Sequence, residues 1–148
     1  MDVLILRDPR EPWKKCSLNT LRGRSDVRFV AYHPARRLDA GERVLLDPDG
    51  EELTDADRGS GLFVVDCSWR RVTTLLRTVD GSLRRRRVPR YQTAYPRKSK
   101  AMSDPPTGLA SVEALYAASF LLGEPRPEWL TGYHFADAFL LANPSLRP

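Results

Sequence analysis

The chain has 148 residues, a net charge of +5, 41% hydrophobic and 29% charged residues, and a pI near 9.6. Those values fit one soluble domain spanning residues 1–148, with a core of its own. No apolar run approaches the roughly 20 residues of a membrane-spanning helix. Two cysteines, Cys16 and Cys67, are too few for a disulfide framework, which points to a reducing, cytoplasmic setting.

Residues 3–6 read as a first strand, broken by Asp8-Pro9-Arg10-Glu11-Pro12-Trp13. The start runs straight into this strand and lacks the basic flank of a signal peptide. Residues 14–21 read as a short helix, and 27–32 as a second strand ended by His33-Pro34. Residues 44–46 are a short third strand, stopped by the turn signal Asp47-Pro48-Asp49-Gly50. Residues 54–58 read as a capped helical turn. The run Leu62-Phe63-Val64-Val65 then stops abruptly on Asp66-Cys67-Ser68-Trp69. A short, continuous apolar run with such an end fits a central strand covered on both faces.

Val72, Leu75, Leu76 and Val79 have helical spacing, ended by Asp80-Gly81. Residues 87–91 are basic and extended, and Pro89 argues for a sheet edge. Residues 98–108 read as a loop. Residues 109–122 are the strongest helix, with Gly123 as its stop signal. A last helix is predicted over 127–141, halted by Asn143-Pro144. Strands that alternate with helices, followed by a helical end, predict an α/β fold with a mainly parallel sheet.

The charge is unevenly spread. Between residues 84 and 100 stand Arg84, Arg85, Arg86, Arg87, Arg90, Arg97, Lys98 and Lys100 without one acid, interleaved with Tyr91 and Tyr95. Guanidinium groups match phosphate geometry, and tyrosine rings offer stacking faces to unpaired bases. The stretch therefore reads as an RNA-contacting surface, with a solvated charged face as the alternative. Asp66 and Trp69 stand at a strand's carboxyl end, where open α/β sheets collect functional groups. Asp66 can also be a helix N-cap, and Trp69 a core aromatic at a helix start. Walker and Gly-x-Gly-x-x-Gly loops are absent. His33 and His134 stand far apart without a Cys-x-x-Cys, so zinc ligation is not expected.

Three stretches carry a family resemblance: Leu46-Asp47-Pro48, residues 52–58, and Gly61 through Asp66-Cys67-Ser68-Trp69. Together they resemble the ribosome-biogenesis aminocarboxypropyltransferases of archaea and eukaryotes. Arg87-Val88-Pro89 is similar to that family's Arg-x-Leu-Pro element, and Ser111-Val112-Glu113-Ala114 to its Ser-x-x-Glu-Ala helix start. Asp8-Pro9 with Lys14-Lys15-Cys16-Ser17 resembles a shortened N-terminal Asp-x-Lys-Lys-Cys-Thr region. Thr93-Ala94-Tyr95-Pro96-Arg97-Lys98 replaces the family's Ala-Ala-Asn-Pro-x-Asn-Tyr-Gly stretch. Residues 98–108, and Pro9-Arg10-Glu11 followed by Asn19-Thr20, are similar instead to the DTW-domain tRNA aminocarboxypropyltransferases, whose N-terminal cysteine cluster this chain lacks.

The resemblance implies a SPOUT-like fold with a C-terminal trefoil knot. It implies S-adenosylmethionine as cofactor and transfer of its 3-amino-3-carboxypropyl group to a uridine or pseudouridine-type base in RNA, with rRNA ahead of tRNA. An RNA-binding module without activity, and a methyltransferase on the same fold, are the competing expectations. By resemblance, Leu46, Pro48, Trp69 and Val88 surround the adenine and the sulfonium methyl. The Val65 carbonyl holds the ribose, backbone around Val88 and Leu109 reads the adenine edge, and Ser17 meets the cofactor carboxylate. Ser111 belongs to the site wall or to a helix cap with Glu113. Asp66 is the candidate catalytic residue: it pairs with the cofactor ammonium or accepts the proton leaving the base. The partner is RNA, with no membrane, and the expected state is a monomer.

Overall fold

The computed structural model describes residues 1–96 and 108–148. The strands are β1 (Val3–Arg7), β2 (Val27–Ala31), β3 (Leu38–Asp39), β4 (Val44–Glu52), β5 (Leu62–Asp66), β6 (Val79–Asp80) and β7 (Arg84–Arg87). The helices are α1 (Val72–Leu76), α2 (Ser111–Leu121) and α3 (Ala136–Ala142). Five strands form one parallel sheet in the order β2-β1-β5-β4-β7, and β3 pairs with β6 in a small second sheet. The predicted α/β class with a mainly parallel sheet therefore holds.

The Leu62–Val65 run is the middle strand, as its unbroken hydrophobicity predicts. Its alternate side chains enter two cores. Leu62 and Val64 join Val3, Ile5, Val112, Leu115 and Tyr116 under α2. Phe63 joins Leu4, Leu6, Leu45 and Leu75 under α1. A parallel strand needs both covers, because each face carries apolar side chains. Helix α2 is apolar nearly all round and is largely buried, as expected of a helix enclosed by protein rather than lying on a surface.

Several predicted boundaries are corrected. The helix at 14–21 is two 3-10 turns, Trp13–Lys15 and Ser17–Leu21, separated by Cys16 in extended backbone (φ −93°, ψ 122°). The turn residues at 47–50 do not end β4, which continues to Glu52 through a register shift against β7. Gly50 allows this: a Cβ there would lie 2.6 Å from the Arg85 carbonyl carbon. The helix predicted through Val79 stops at Leu76, because residues 79–80 are drawn into pairing with Leu38 and Asp39. The helix predicted over 127–141 is broken at Gly132 (φ +85°). It leaves a 3-10 turn at Pro127–Leu130, then α3. The stop of α2 is as predicted, with Gly123 at φ +76° just past its end.

Candidate functional site

The site candidates gather at the carboxyl edge of the sheet, where β4 and β5 part. Pairing of β1 with β5 runs to Arg7↔Asp66, but pairing of β4 with β5 ends at Leu45↔Phe63. In a parallel strand, successive residues direct both backbone groups to alternate sides. Leu62 and Asp66 bond toward β1, so Val65 directs its N–H and C=O toward β4. The ladder does not reach it there. Val65 thus presents an unladdered donor and acceptor in the parting between strands, the type of crevice in which open α/β sheets hold ligands.

Leu46 is the first β4 residue beyond the last β4–β5 pair. Leu46, Val88 and Leu109 pack half-buried against the core beneath α2. Pro48 is exposed on the irregular part of β4. Trp69 begins a 3-10 turn just past β5 and is 50% exposed, so the core-aromatic reading of Trp69 is overturned. Arg70 lies 5.8 Å from its ring.

Asp66 is not a helix cap. The N-cap of the following 3-10 turn is Ser68, and the Asp66 carboxylate turns back toward β1. Its Oδ2 accepts from Arg7 Nη1 and from Cys16 Sγ at 3.2 Å. Beside this pair, Arg71 Nε donates to Asp8 Oδ2 at 2.6 Å. Burial, then the Asp66 and Asp8 charges, raise the Glu11 carboxyl above its ordinary range. Burial, with the Asp66 charge behind it, pushes the Cys16 thiol up to about 11. The Cys67 thiol goes to about 12, by burial and then by Asp8 and Asp66. Both thiols are protonated at neutral pH, which removes nucleophilic sulfur from the chemistry available here.

The start of α2 closes the same side. Ser17 Oγ accepts the Val112 N–H at 3.2 Å, so residues 16–17 lie against the first turn of α2, where the helix dipole favours anions. Ser111 is the first helical residue, with Ala110 at the N-cap. Glu113 does the capping, accepting the Ala110 N–H at 2.9 Å. Fully buried, Glu113 also accepts from Thr93 Oγ1 (2.6 Å), the Ala94 N–H (3.0 Å) and Tyr133 Oη (3.0 Å). This hub ties residues 93–95 to α2.

The arginine run is divided by strand alternation. Arg84 and Arg86 point to one face and converge on Asp57, 1% exposed. Arg84 Nη1 lies 3.1 Å from Asp57 Oδ1, and Arg86 Nε lies 3.2 Å from both carboxylate oxygens. Arg85 Nη1 donates to Asp47 Oδ2 at 2.9 Å. Arg87 and Arg90 are exposed and carry no ion pair among the described residues. Arg97, Lys98 and Lys100 lie outside the described residues. Tyr91 and Tyr95 are half-buried against the α2-side core, with Tyr95 edge-on to Phe135 at 5.8 Å.

Sequence reasoning missed Arg7, Trp13 and Asp57 as organisers, and anticipated Glu113 only as a helix-start cap. Register alone offered a signal for Arg7, which ends one buried strand as Asp66 ends the next. A cavity of about 270 Å³ lined by Met1, Asp2, Gly59, Ser60, Gly61 and Glu124 lies at the opposite, amino edge of the sheet.

No protein-family model matches the chain. A protein of Methanopyrus kandleri named 16S rRNA aminocarboxypropyltransferase is 35% identical over 107 residues, covering 68% of this chain and 61% of that protein. A protein of the same name from Vulcanisaeta distributa is 31% identical over an alignment of 154 positions, covering 95% of this chain and 77% of the relative. Among solved structures, the SAM-dependent rRNA:acp-transferase Tsr3 from Vulcanisaeta distributa superposes with a TM-score of 0.72 at 27% identity, over 97% of this chain and 79% of that one. On shared sequence and shared fold, the chain belongs to the 16S rRNA aminocarboxypropyltransferase family.

Proposed function

We propose that this chain transfers the 3-amino-3-carboxypropyl group of S-adenosylmethionine to a uridine or pseudouridine-type base of ribosomal RNA. The observation that carries the reading is the edge where β4 leaves β5. Val65 offers its backbone there near Leu46, with Asp66 and Trp69 following it on the chain, and the half-buried Val88 and Leu109 pack with Leu46 on the α2-side core. The names of both curated relatives and of the solved structure support rRNA over tRNA.

The residues present suit such a cofactor. The Val65 carbonyl would accept from ribose hydroxyls, and Leu46, Val88, Leu109 and Trp69 would exclude water from the adenine and the methyl. Ser17 and the first turn of α2 would take the carboxylate, and Asp66 the ammonium. The cofactor's sulfonium supplies an already activated carbon, so the task left to the protein is choosing which carbon the base meets. Holding both ends of the amino-acid arm performs that choice. We assign Asp66 to charge pairing rather than to proton removal, because its neighbour is the Arg7 cation and an aspartate is a weak base for an imino proton.

The same reading includes a SPOUT-like chain path with a C-terminal knot, on a mainly parallel α/β sheet like the one observed. The chain trace of an experimental structure through residues 97–107 tests the knot. A monomer in the cytoplasm completes the proposal, and sedimentation tests its mass.

Isothermal calorimetry tests the cofactor assignment. S-adenosylmethionine and 5′-methylthioadenosine should both bind, and absence of heat with millimolar S-adenosylmethionine would sink it.

A further inference from the structure

Arg7 ends β1 in register with Asp66 and is 5% exposed. A buried guanidinium is costly unless its donors and faces are met. Here Nη1 reaches Asp66 Oδ2 and, at 3.1 Å, Cys16 Sγ. Nη2 donates to the Glu11 carbonyl at 2.7 Å. The cation lies 3.6 Å from the centre of the Trp13 ring. Trp13 in turn meets Arg22 at 4.2 Å and Phe29 edge-on at 5.2 Å, so the stack that carries Arg7 is itself braced.

The partners of Arg7 are what make it more than a core ion pair. Asp66 ends the strand that opens toward β4. Cys16 precedes Ser17, whose hydroxyl meets α2 at Val112. One cation therefore fixes the two segments between which the amino-acid arm of the cofactor would lie. Among the described residues, both hydrogen bonds to the Asp66 carboxylate fall on Oδ2, and Oδ1 is the oxygen that can accept from a ligand.

We propose that Arg7 is the positioning residue of this site. It holds Asp66 by Oδ2 so that Oδ1 meets the ligand ammonium. The inference rests on the cofactor reading given above. Lysine cannot replace it, since an ammonium has no plane to stack on Trp13 and cannot span these acceptors together.

The test is a double-mutant cycle read by S-adenosylmethionine titration calorimetry, with thermal melting alongside. Arg7→Met should weaken affinity about tenfold or more, and Arg7→Lys should fall between it and the unaltered chain. In the Asp66→Asn background, Arg7→Met should change affinity by less than about threefold, because the group it orients is gone. A role in stability alone would lower the melting point in both backgrounds without coupling in affinity. Affinity of Arg7→Met within about twofold of the unaltered chain, or the same loss with and without Asp66, overturns the proposal. Should Arg7→Met alone not fold, the double variant still serves, since it leaves no lone buried charge. A further loss above threefold relative to Asp66→Asn then overturns it. If the unaltered chain does not bind S-adenosylmethionine, the cofactor reading itself falls; if it binds and the cycle shows no coupling, only Arg7's role falls.

Discussion

Arg86 Nε sits 3.2 Å from both carboxylate oxygens of Asp57, a residue 29 positions earlier and almost wholly buried. Arg84 shares the same acid. The most basic segment of the chain is thus partly a structural clasp that holds β7 to the 3-10 turn after β4. Asp57 also accepts the Thr54 N–H at 3.1 Å. Asp57→Ala should lower stability by about 2 kcal/mol, the scale of losing charge-assisted hydrogen bonds. Denaturant titration reads that loss, and an unchanged midpoint would show the clasp to be idle.

The division of the arginine run predicts which cations meet RNA. Arg87→Glu and Arg90→Glu should weaken rRNA-fragment binding, and each should reduce the slope of log affinity against log salt by about 1. Arg84→Gln and Arg86→Gln should act mainly on stability. Filter binding across a salt series separates the two pairs. Equal slopes in all four variants would argue that these cations do not track phosphates.

Trp69 offers a clean contrast between packing and ligand contact. At 50% exposure, Trp69→Ala should cost less than about 1 kcal/mol of stability, against the 3–5 kcal/mol of a buried aromatic. Affinity for S-adenosylmethionine should fall about tenfold. A large loss of stability with intact affinity would return Trp69 to a packing role.

Ser17 links the N-terminal segment to α2 through the Val112 N–H. Ser17→Ala removes an acceptor from a helix N-terminus, a loss of about 1 kcal/mol in stability. Methionine-arm recognition should suffer further. Affinity for S-adenosylmethionine should drop while affinity for 5′-methylthioadenosine, which lacks the arm, stays level. A parallel drop for both ligands would contradict the assignment.

The two thiols give an alkaline signature. Their folded values, about 11 for Cys16 and about 12 for Cys67, lie above the ordinary 9.0. A raised value means that the native state holds the proton more tightly than the unfolded chain. That stability is complete below pH 9 and is lost as pH rises through about 11 to 12. Chemical denaturation from pH 8 to 12 should therefore show falling stability, less steep in Cys67→Ala. Rapid alkylation of either thiol at pH 7 in the native state would contradict this picture.

Much of the architecture was readable because hydrophobic runs report burial directly. Residues 62–65 had to be a central strand, and residues 109–122 a buried helix. The basic segment does reach the sheet edge, but as β7, which ends at Arg87 and leaves Pro89 and residues 88–91 outside the strand. Boundaries failed where tertiary contacts outweighed local preference. Residues 79–80 left a helical pattern to pair with β3, and Gly50 let β4 continue through an apparent turn. The site was legible at Asp66 and Trp69 as a strand end. Its organisers were not. Glu113 was legible as a helix cap, but its hold on Thr93, Ala94 and Tyr133, and the hold of Arg7 on Asp66, 59 residues away, were not, since no spacing rule in one sequence marks such pairs. The uniform charge of residues 84–87 concealed a two-face alternation that became visible only when β7 paired with β4.

The central claim is the identity of the group transferred. Incubation of the chain with deproteinised ribosomal RNA and S-adenosylmethionine labelled either at the carboxyl carbon or at the methyl tests it most directly. Carboxyl label should enter RNA, and none from the methyl. Methyl label in RNA, or none from either position with the cofactor bound, would contradict it.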